Sequence, residues 1–187
     1  TKFGHVFDEE TQVAGGDNAD PDYIREACEG SLRRLKTETL DLYLFHLKNY
    51  DIQRAPEVRD TLEALVEEGK IRYYGWSTDD VERARIFAQG EHCVAIEHRL
   101  NYILDAPEML AFCEAENLAG LNRIPFLMGI LTGKYRDGVD LPEEDMRSRF
   151  FDHPGVQRDI DRVEKLRPML TAEGRTIFLS THTLSVA

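Results

Sequence analysis

Leu40-Asp-Leu-Tyr-Leu-Phe-His46 is a short apolar run bounded by polar turns. It is too short for a typical helix and fits a strand buried on both faces. Helix-like segments lie on either side of it, and its last residue is a histidine. In a parallel α/β barrel the carboxyl end of a strand is where catalytic side chains sit. His46 is therefore either an active-site residue or a strand-end histidine facing solvent.

Reading backward, Asp20-Pro21 supplies a helix N-cap and a proline at the first helical position. Tyr23, Ile24, Ala27, Cys28, Ser31, Leu32 and Leu35 then recur at helical spacing. The Gly-rich polar stretch from His5 to Asn18 reads as a loop, and Thr1-Lys-Phe-Gly4 as the tail of an extended segment. Reading forward, Pro56–Glu68 is a helix closed by Gly69 as C-cap. Ile71–Trp76 is a second strand. Asp79 caps a helix that Gly90 ends, Cys93–Glu97 is a third strand, Pro107–Glu116 a helix and Leu118–Ile124 a fourth strand. Beyond it, Pro125–Tyr135 is an apolar loop punctuated by Gly129 and Gly133, residues 136–155 form a surface loop, and Val156–Leu170 is helical. Residues 175–187 are an atypical tail rich in Thr, Ser and β-branched side chains.

Strand then helix, repeated, predicts βα units in a parallel sheet. A doubly wound nucleotide-binding sheet calls for a glycine-rich fingerprint after a strand, and none is present. The fold class expected is therefore α/β, a (β/α)8 TIM-barrel type, here a single partial barrel domain over 1–187 of roughly five βα units. A curved sheet of so few strands leaves open edges and an uncovered inner face, so self-association is expected, with Leu42, Leu44, Tyr74 or Ala95 less buried than in a whole barrel unless a partner covers them.

Composition excludes several classes. With 187 residues the chain is long enough for one sizeable core, and 42% apolar with 31% charged residues is ordinary for a soluble protein. The net charge of −12 argues against nucleic acid and anionic membrane surfaces as partners. No run approaches the ~18 apolar residues of a membrane helix. Cys28, Cys93 and Cys113 are too few and too scattered for a disulfide framework or a metal site, and fit reduced core thiols of a cytoplasmic protein. The chain opens at Thr1 without a methionine, which suggests a fragment.

Lys2, His46, Ser77, Glu97 and Arg123 share one property: each falls at or just past the carboxyl end of a predicted strand. In a barrel all five face one mouth. Taken singly, Lys2 is equally a solvated terminal charge, Glu97 a surface charge, and Ser77-Thr-Asp-Asp80 a helix-capping signal. Arg123, between apolar neighbours, is harder to dismiss, because an unpaired buried charge is costly. His92, His98, His153 and His182 show no partner pattern and read as structural.

In order, Thr1-Lys-Phe-Gly4, Leu40–His46, Lys70-Ile-Arg-Tyr-Tyr-Gly-Trp-Ser77 and Pro125-Phe-Leu-Met-Gly-Ile-Leu-Thr-Gly-Lys-Tyr135 resemble the aldo-keto reductases, over Thr1 to about Phe150. That resemblance implies a (β/α)8 barrel that reduces a small-molecule carbonyl with NADPH and uses no metal. It implies that Lys2 lowers the pKa of a catalytic tyrosine and that His46 orients the carbonyl. Ser77 and Thr78 match the positions that hold the nicotinamide carboxamide, with Glu97 where the family usually has glutamine. Arg123, Ile124, Pro125, Phe126, Leu127 and Met128 match a loop along the nicotinamide and pyrophosphate, and Lys134 and Arg147 match phosphate-region cations. The family's tyrosine and aspartate precede the Thr-Lys-Phe-Gly motif, Glu97 exchanges an amide for an acceptor-only group, and the segment for the adenosine 2′-phosphate is not recognisable after Thr171. Two functions follow: a reductase whose 187 residues are inactive alone, or a non-catalytic remnant that binds a nucleotide or a partner subunit.

Overall fold

The computed structural model describes residues 1–7, 14–133, 135, 141–142, 145, 147–151 and 153–171. They group into two compact units, residues 1–98 with 107–121, and residues 99–106 with those from 122 onward.

The first unit is built on strands β1 (Lys2–Phe3), β2 (His5–Phe7), β3 (Ala14–Asp17), β4 (Leu40–Phe45), β5 (Ile71–Ser77), β6 (Cys93–Arg99) and the start of β7 (Ala119–Arg123). Its helices are α1 (Pro21–Leu35), α2 (Ala55–Glu67), α3 (Val81–Phe87) and α4 (Pro107–Ala115). The main sheet has the order β1-β4-β5-β6-β7, and β1–β4, β4–β5 and β5–β6 pair in parallel. Parallel neighbours need a crossover: α1 precedes β4, and α2, α3 and α4 separate the successive strands from β4 to β7.

Local chemistry explains the helix ends. Pro21 occupies the first turn of α1, and the chain leaves that helix at Lys36 in a left-handed conformation (φ 54°). Asp20 stands at the N-cap with its carbonyl accepting from the Ile24 amide, but its carboxylate does not cap the helix and accepts from Arg54 Nη2 at 2.9 Å instead. Gly69 follows α2 at φ 73° and donates to the Val66 carbonyl at 2.8 Å, the left-handed stop expected of a glycine. The cap of α3 is Asp80, one residue later than expected: its Oδ1 accepts from the Glu82 and Arg83 amides. Asp79 is displaced from that role because Thr78 Oγ1 already accepts from the Asp80 amide, which sets the turn one residue further on.

The two faces of the sheet differ in chemistry. Phe3, Tyr43, Phe45, Tyr74, Trp76 and Ile96 are buried. Phe45 stacks on Phe3 at 5.2 Å and tilts against Trp76 at 5.2 Å, and Trp76 meets Phe87 of α3 at 4.7 Å. Such aromatic pairs add about 0.5–1.5 kcal/mol each beyond their buried area. On the other face the register aligns Lys2, Leu44, Gly75 and Ala95 in one row, with Ser77 opposite Glu97 two residues further on. A Cβ on Gly75 would lie 2.0 Å from the Ala95 carbonyl oxygen, so glycine is required there.

Period-two alternation narrows the exposure expectation to Leu42. Tyr74 is fully buried because it points toward the helices, and Tyr73, one residue earlier, is the exposed ring at 46%. Leu44 and Ala95 are buried, Leu44 filling the space that Gly75 leaves. Only Leu42 of the four is half-buried.

The stretch His5–Asn18, expected to be a loop, contains an antiparallel hairpin in which His5 pairs with Asp17, Val6 with Gly16 and Phe7 with Ala14. Its strands are short and its composition glycine-rich, so they carry little alternation to read. The three cysteines are free and buried, and burial pushes the Cys93 thiol up to about 12.

In the second unit a 3₁₀ helix (Leu127–Thr132) is followed by α5 (Ser148–Phe151) and α6 (Gly155–Thr171). Its core is Leu127, Ile130, Tyr135, Val156, Ile160 and Val163. The short α5 lies inside the stretch expected to be a surface loop, and α6 falls where helical spacing placed it. The tail 175–187 lies outside the described residues. No helix among the described residues is long and apolar enough to cross a membrane.

Candidate functional site

Lys2, Ser77 and Glu97 meet at one end of the main sheet. Lys2 Nζ donates to both carboxylate oxygens of Glu97, at 2.5 and 2.7 Å, and Ser77 Oγ donates to Oε2 at 2.6 Å. Lys2 and Glu97 stand on β1 and β6, three strand spacings apart. At about 4.8 Å per spacing that is roughly 14 Å along a flat sheet. Two side chains of this length close such a gap only where the sheet curls toward the face that carries them. The ion pair therefore reports a concave inner face on this unit.

Ser77 is fully buried, and the Glu97 side chain is only 13% exposed. Burial by itself would raise the Glu97 carboxyl. Hydrogen bonds from Lys2 and Ser77, with the electrostatic influence of Lys2 and His46, outweigh it and hold the carboxyl below its ordinary range. His46 follows β4 directly, donates its amide to the Phe3 carbonyl at 2.9 Å, and is half-buried. The strand end thus carries an ammonium, an imidazole, a hydroxyl and a carboxylate, a set able to position a polar group and to exchange a proton.

Thr78 takes another direction. Its hydroxyl donates to the Lys48 carbonyl at 3.1 Å and accepts from the Asp80 amide, so it ties two loops together. In the second unit, Arg123 ends β7 and the chain turns sharply. Ile124, Leu127 and Met128 adopt left-handed φ values of 52°, 47° and 53°, and Gly129 follows at 101°. Leu127 donates to the Ile124 carbonyl and Gly129 to the Phe126 carbonyl, both at 2.9 Å. Pro125 and Met128 are half-buried, Leu127 is buried and the Phe126 ring is exposed. Lys134 lies outside the described residues. Arg147 is engaged by its neighbours: Nε donates to Asp145 Oδ1 at 2.9 Å and Nη1 to the Tyr135 hydroxyl at 3.2 Å.

Two residues at these places escaped sequence reasoning. Asn101 bridges its own turn, accepting from the Ile103 and Leu104 amides at 3.0 Å and donating to the Ile124 carbonyl at 3.2 Å. An Asn opening an Asx turn is the signal that could have found it. His5 lies with its ring 5.2 Å from that of His46, and only the hairpin brings it there.

The aldo/keto reductase family model matches residues 1–180. The chain is similar to the NADP(+) aldo-keto reductase yakc of Schizosaccharomyces pombe, 29% identical over 183 residues, covering 94% of this chain and 53% of that protein. It is also similar to the uncharacterized oxidoreductase YqkF of Bacillus subtilis, 32% identical over 140 residues, covering 73% of this chain and 44% of that protein. Among solved structures, the glycerol dehydrogenase AKR11B4 from Gluconobacter oxydans superposes with a TM-score of 0.76 at 28% identity, over 94% of this chain and 55% of that one. An aldo/keto reductase from Klebsiella pneumoniae in complex with NADP and acetate does so with a TM-score of 0.54 at 28% identity, over 82% and 47%. The chain spans about half the length of the curated relatives it matches. A family match running through nearly all of the sequence, over a sheet whose strands and helices alternate as a (β/α)8 barrel requires, means that the chain belongs to the aldo/keto reductase family of oxidoreductases.

Proposed function

We propose that this chain supplies the lysine, the histidine and part of the nicotinamide-binding surface of an NADPH-dependent carbonyl reductase. The observation that carries the proposal is the convergence of Lys2, Ser77 and Glu97 at the strand ends, with His46 beside them. When bound, NADPH supplies the hydride. Lys2 provides the cation that favours ionisation of a neighbouring tyrosine, and His46 orients the substrate carbonyl. Ser77 donates its hydroxyl hydrogen to Glu97, and the carboxylate keeps lone pairs for an incoming donor; such an acceptor fits the N–H₂ of a carboxamide. The turn at Arg123, Ile124, Pro125, Phe126, Leu127 and Met128, and the cations Lys134 and Arg147, are assigned to the rest of the cofactor.

In the family that these motifs resemble, a proton-donating tyrosine and its aspartate precede the Thr-Lys-Phe-Gly motif. The 187 residues assayed alone are therefore expected to show little turnover. Steady-state NADPH oxidation with a small aromatic aldehyde, together with fluorescence titration of NADPH, tests both parts. With those upstream residues joined to the chain, Lys2→Met is expected to lower turnover by about 10²–10⁴-fold, the range of general acid catalysis, and to leave NADPH affinity largely intact. Equal loss of both would remove Lys2 from the chemistry.

A second reading, a non-catalytic member that binds a nucleotide or a partner, is favoured by the Glu97 carboxylate, which occupies the donors of both Lys2 and Ser77. Under that reading Glu97→Gln strengthens NADPH binding, because the amide no longer holds the ammonium. Unchanged or weaker binding argues for the reductase.

A further inference from the structure

The hairpin after β1 brings a second imidazole to the candidate site. Gly4 turns the chain at φ 120°, and a Cβ there would lie 2.8 Å from Leu47 Cγ, so only glycine makes this turn. His5 follows at once. Its backbone is pinned from α1, since the Tyr23 hydroxyl donates to the His5 carbonyl at 3.0 Å, and the Asn18 amide donates to the Gly4 carbonyl at 2.8 Å. Its Nδ1 lies 2.7 Å from Asp17 Oδ1, the residue opposite in the hairpin register. An ionised carboxylate only accepts, so Nδ1 carries the hydrogen and the neutral ring keeps its lone pair on Nε2. The ring meets that of His46 edge to face, with an interplanar angle of 78°.

We propose that Asp17 and His5 form a carboxylate–imidazole pair that positions His46. Asp17 sets the tautomer and orientation of His5, as second-layer carboxylates do for functional histidines. The edge of one ring against the face of the other then limits the rotation of His46 at the strand end. His5 and Asp17 are positioning residues. The pair stands on its own geometry, and its importance for catalysis rests on the role proposed for His46.

Long-range ¹H–¹⁵N spectra of the 187-residue chain, recorded at a pH where imidazoles are neutral, test the pair. In the wild type, His5 is expected to show a protonated Nδ1 and an unprotonated Nε2. Asp17→Ala is expected to move that hydrogen to Nε2 and to shift the His46 ring signals; Asp17→Asn, which keeps an acceptor oxygen, restores part of both. His5→Phe keeps an aromatic edge and is expected to retain the His46 side-chain rotamer that His5→Ala releases. The proposal is overturned if His5 shows the same tautomer in the wild type and Asp17→Ala, or if the His46 signals stay in place in Asp17→Ala and His5→Ala while circular dichroism is unchanged. NADPH titration of the same samples judges the cofactor assignment separately. Absence of binding removes the catalytic meaning of the pair, and the tautomer result still decides whether the pair exists.

Discussion

Glu97 shows what one substitution does at a shared position. Where the family resemblance calls for glutamine, a carboxylate gathers Lys2 and Ser77 onto itself. Its pKa is lowered in the folded state, so the unfolded chain binds the proton more readily. The stability it contributes is complete above the unfolded carboxyl value and is lost as pH falls through the folded one. Glu97→Gln should therefore narrow the difference between urea midpoints measured at pH 7 and pH 4. An unchanged difference would place the acid sensitivity elsewhere. Glu63 is the other carboxyl to watch. It accepts from the Tyr74 hydroxyl at 2.6 Å and contacts His92 Nδ1 at 2.6 Å, and these partners outweigh burial to lower its pKa as well. His92 is thereby tied to α2.

At the scale of elements, two substitutions separate sheet register from helix capping. Gly75→Ala drives a methyl into the Ala95 carbonyl and should loosen the β5–β6 pairing, at a cost on the order of 3 kcal/mol by chemical denaturation, the upper range for overpacking. A cost below ~0.5 kcal/mol would mean that the strands shift freely. Asp80→Ala removes the acceptor of two amides at the start of α3 and should cost about 1 kcal/mol. The capping signal was legible as a cluster of Ser, Thr and Asp. Which aspartate would serve was decided by the Thr78 hydroxyl, whose partner Lys48 belongs to a loop distant in sequence.

For the molecule as a whole, the main sheet ends at β1, which has one bonded neighbour among the described residues, and its inner face exposes Tyr73. Unpaired strand edges and apolar rings invite association. Sedimentation velocity of the 187-residue chain is expected to show a concentration-dependent rise in mass, reduced by Tyr73→Lys. A single monomeric species across the whole range would show that the edge is protected. Because relatives are about twice as long, the same experiment on a longer chain gives the comparison.

Short-range pattern determined much of this protein. Apolar runs of strand length, helical spacing at Ile24, Cys28 and Leu32, and glycine stops such as Gly69 predicted the order β4-α2-β5-α3-β6-α4-β7 and its parallel layout. Their places at or just past the carboxyl ends of predicted strands assigned Lys2, Ser77 and Glu97 to one mouth. Tertiary structure decided the rest. The Lys2–Glu97 contact depends on sheet curvature, which accumulates over three strand spacings and is written in no single segment. The approach of His5 to His46 depends on a hairpin too short and too glycine-rich to show a pattern. Sequence periodicity reports which way a side chain points; which distant side chain it meets is set by how the backbone bends between them.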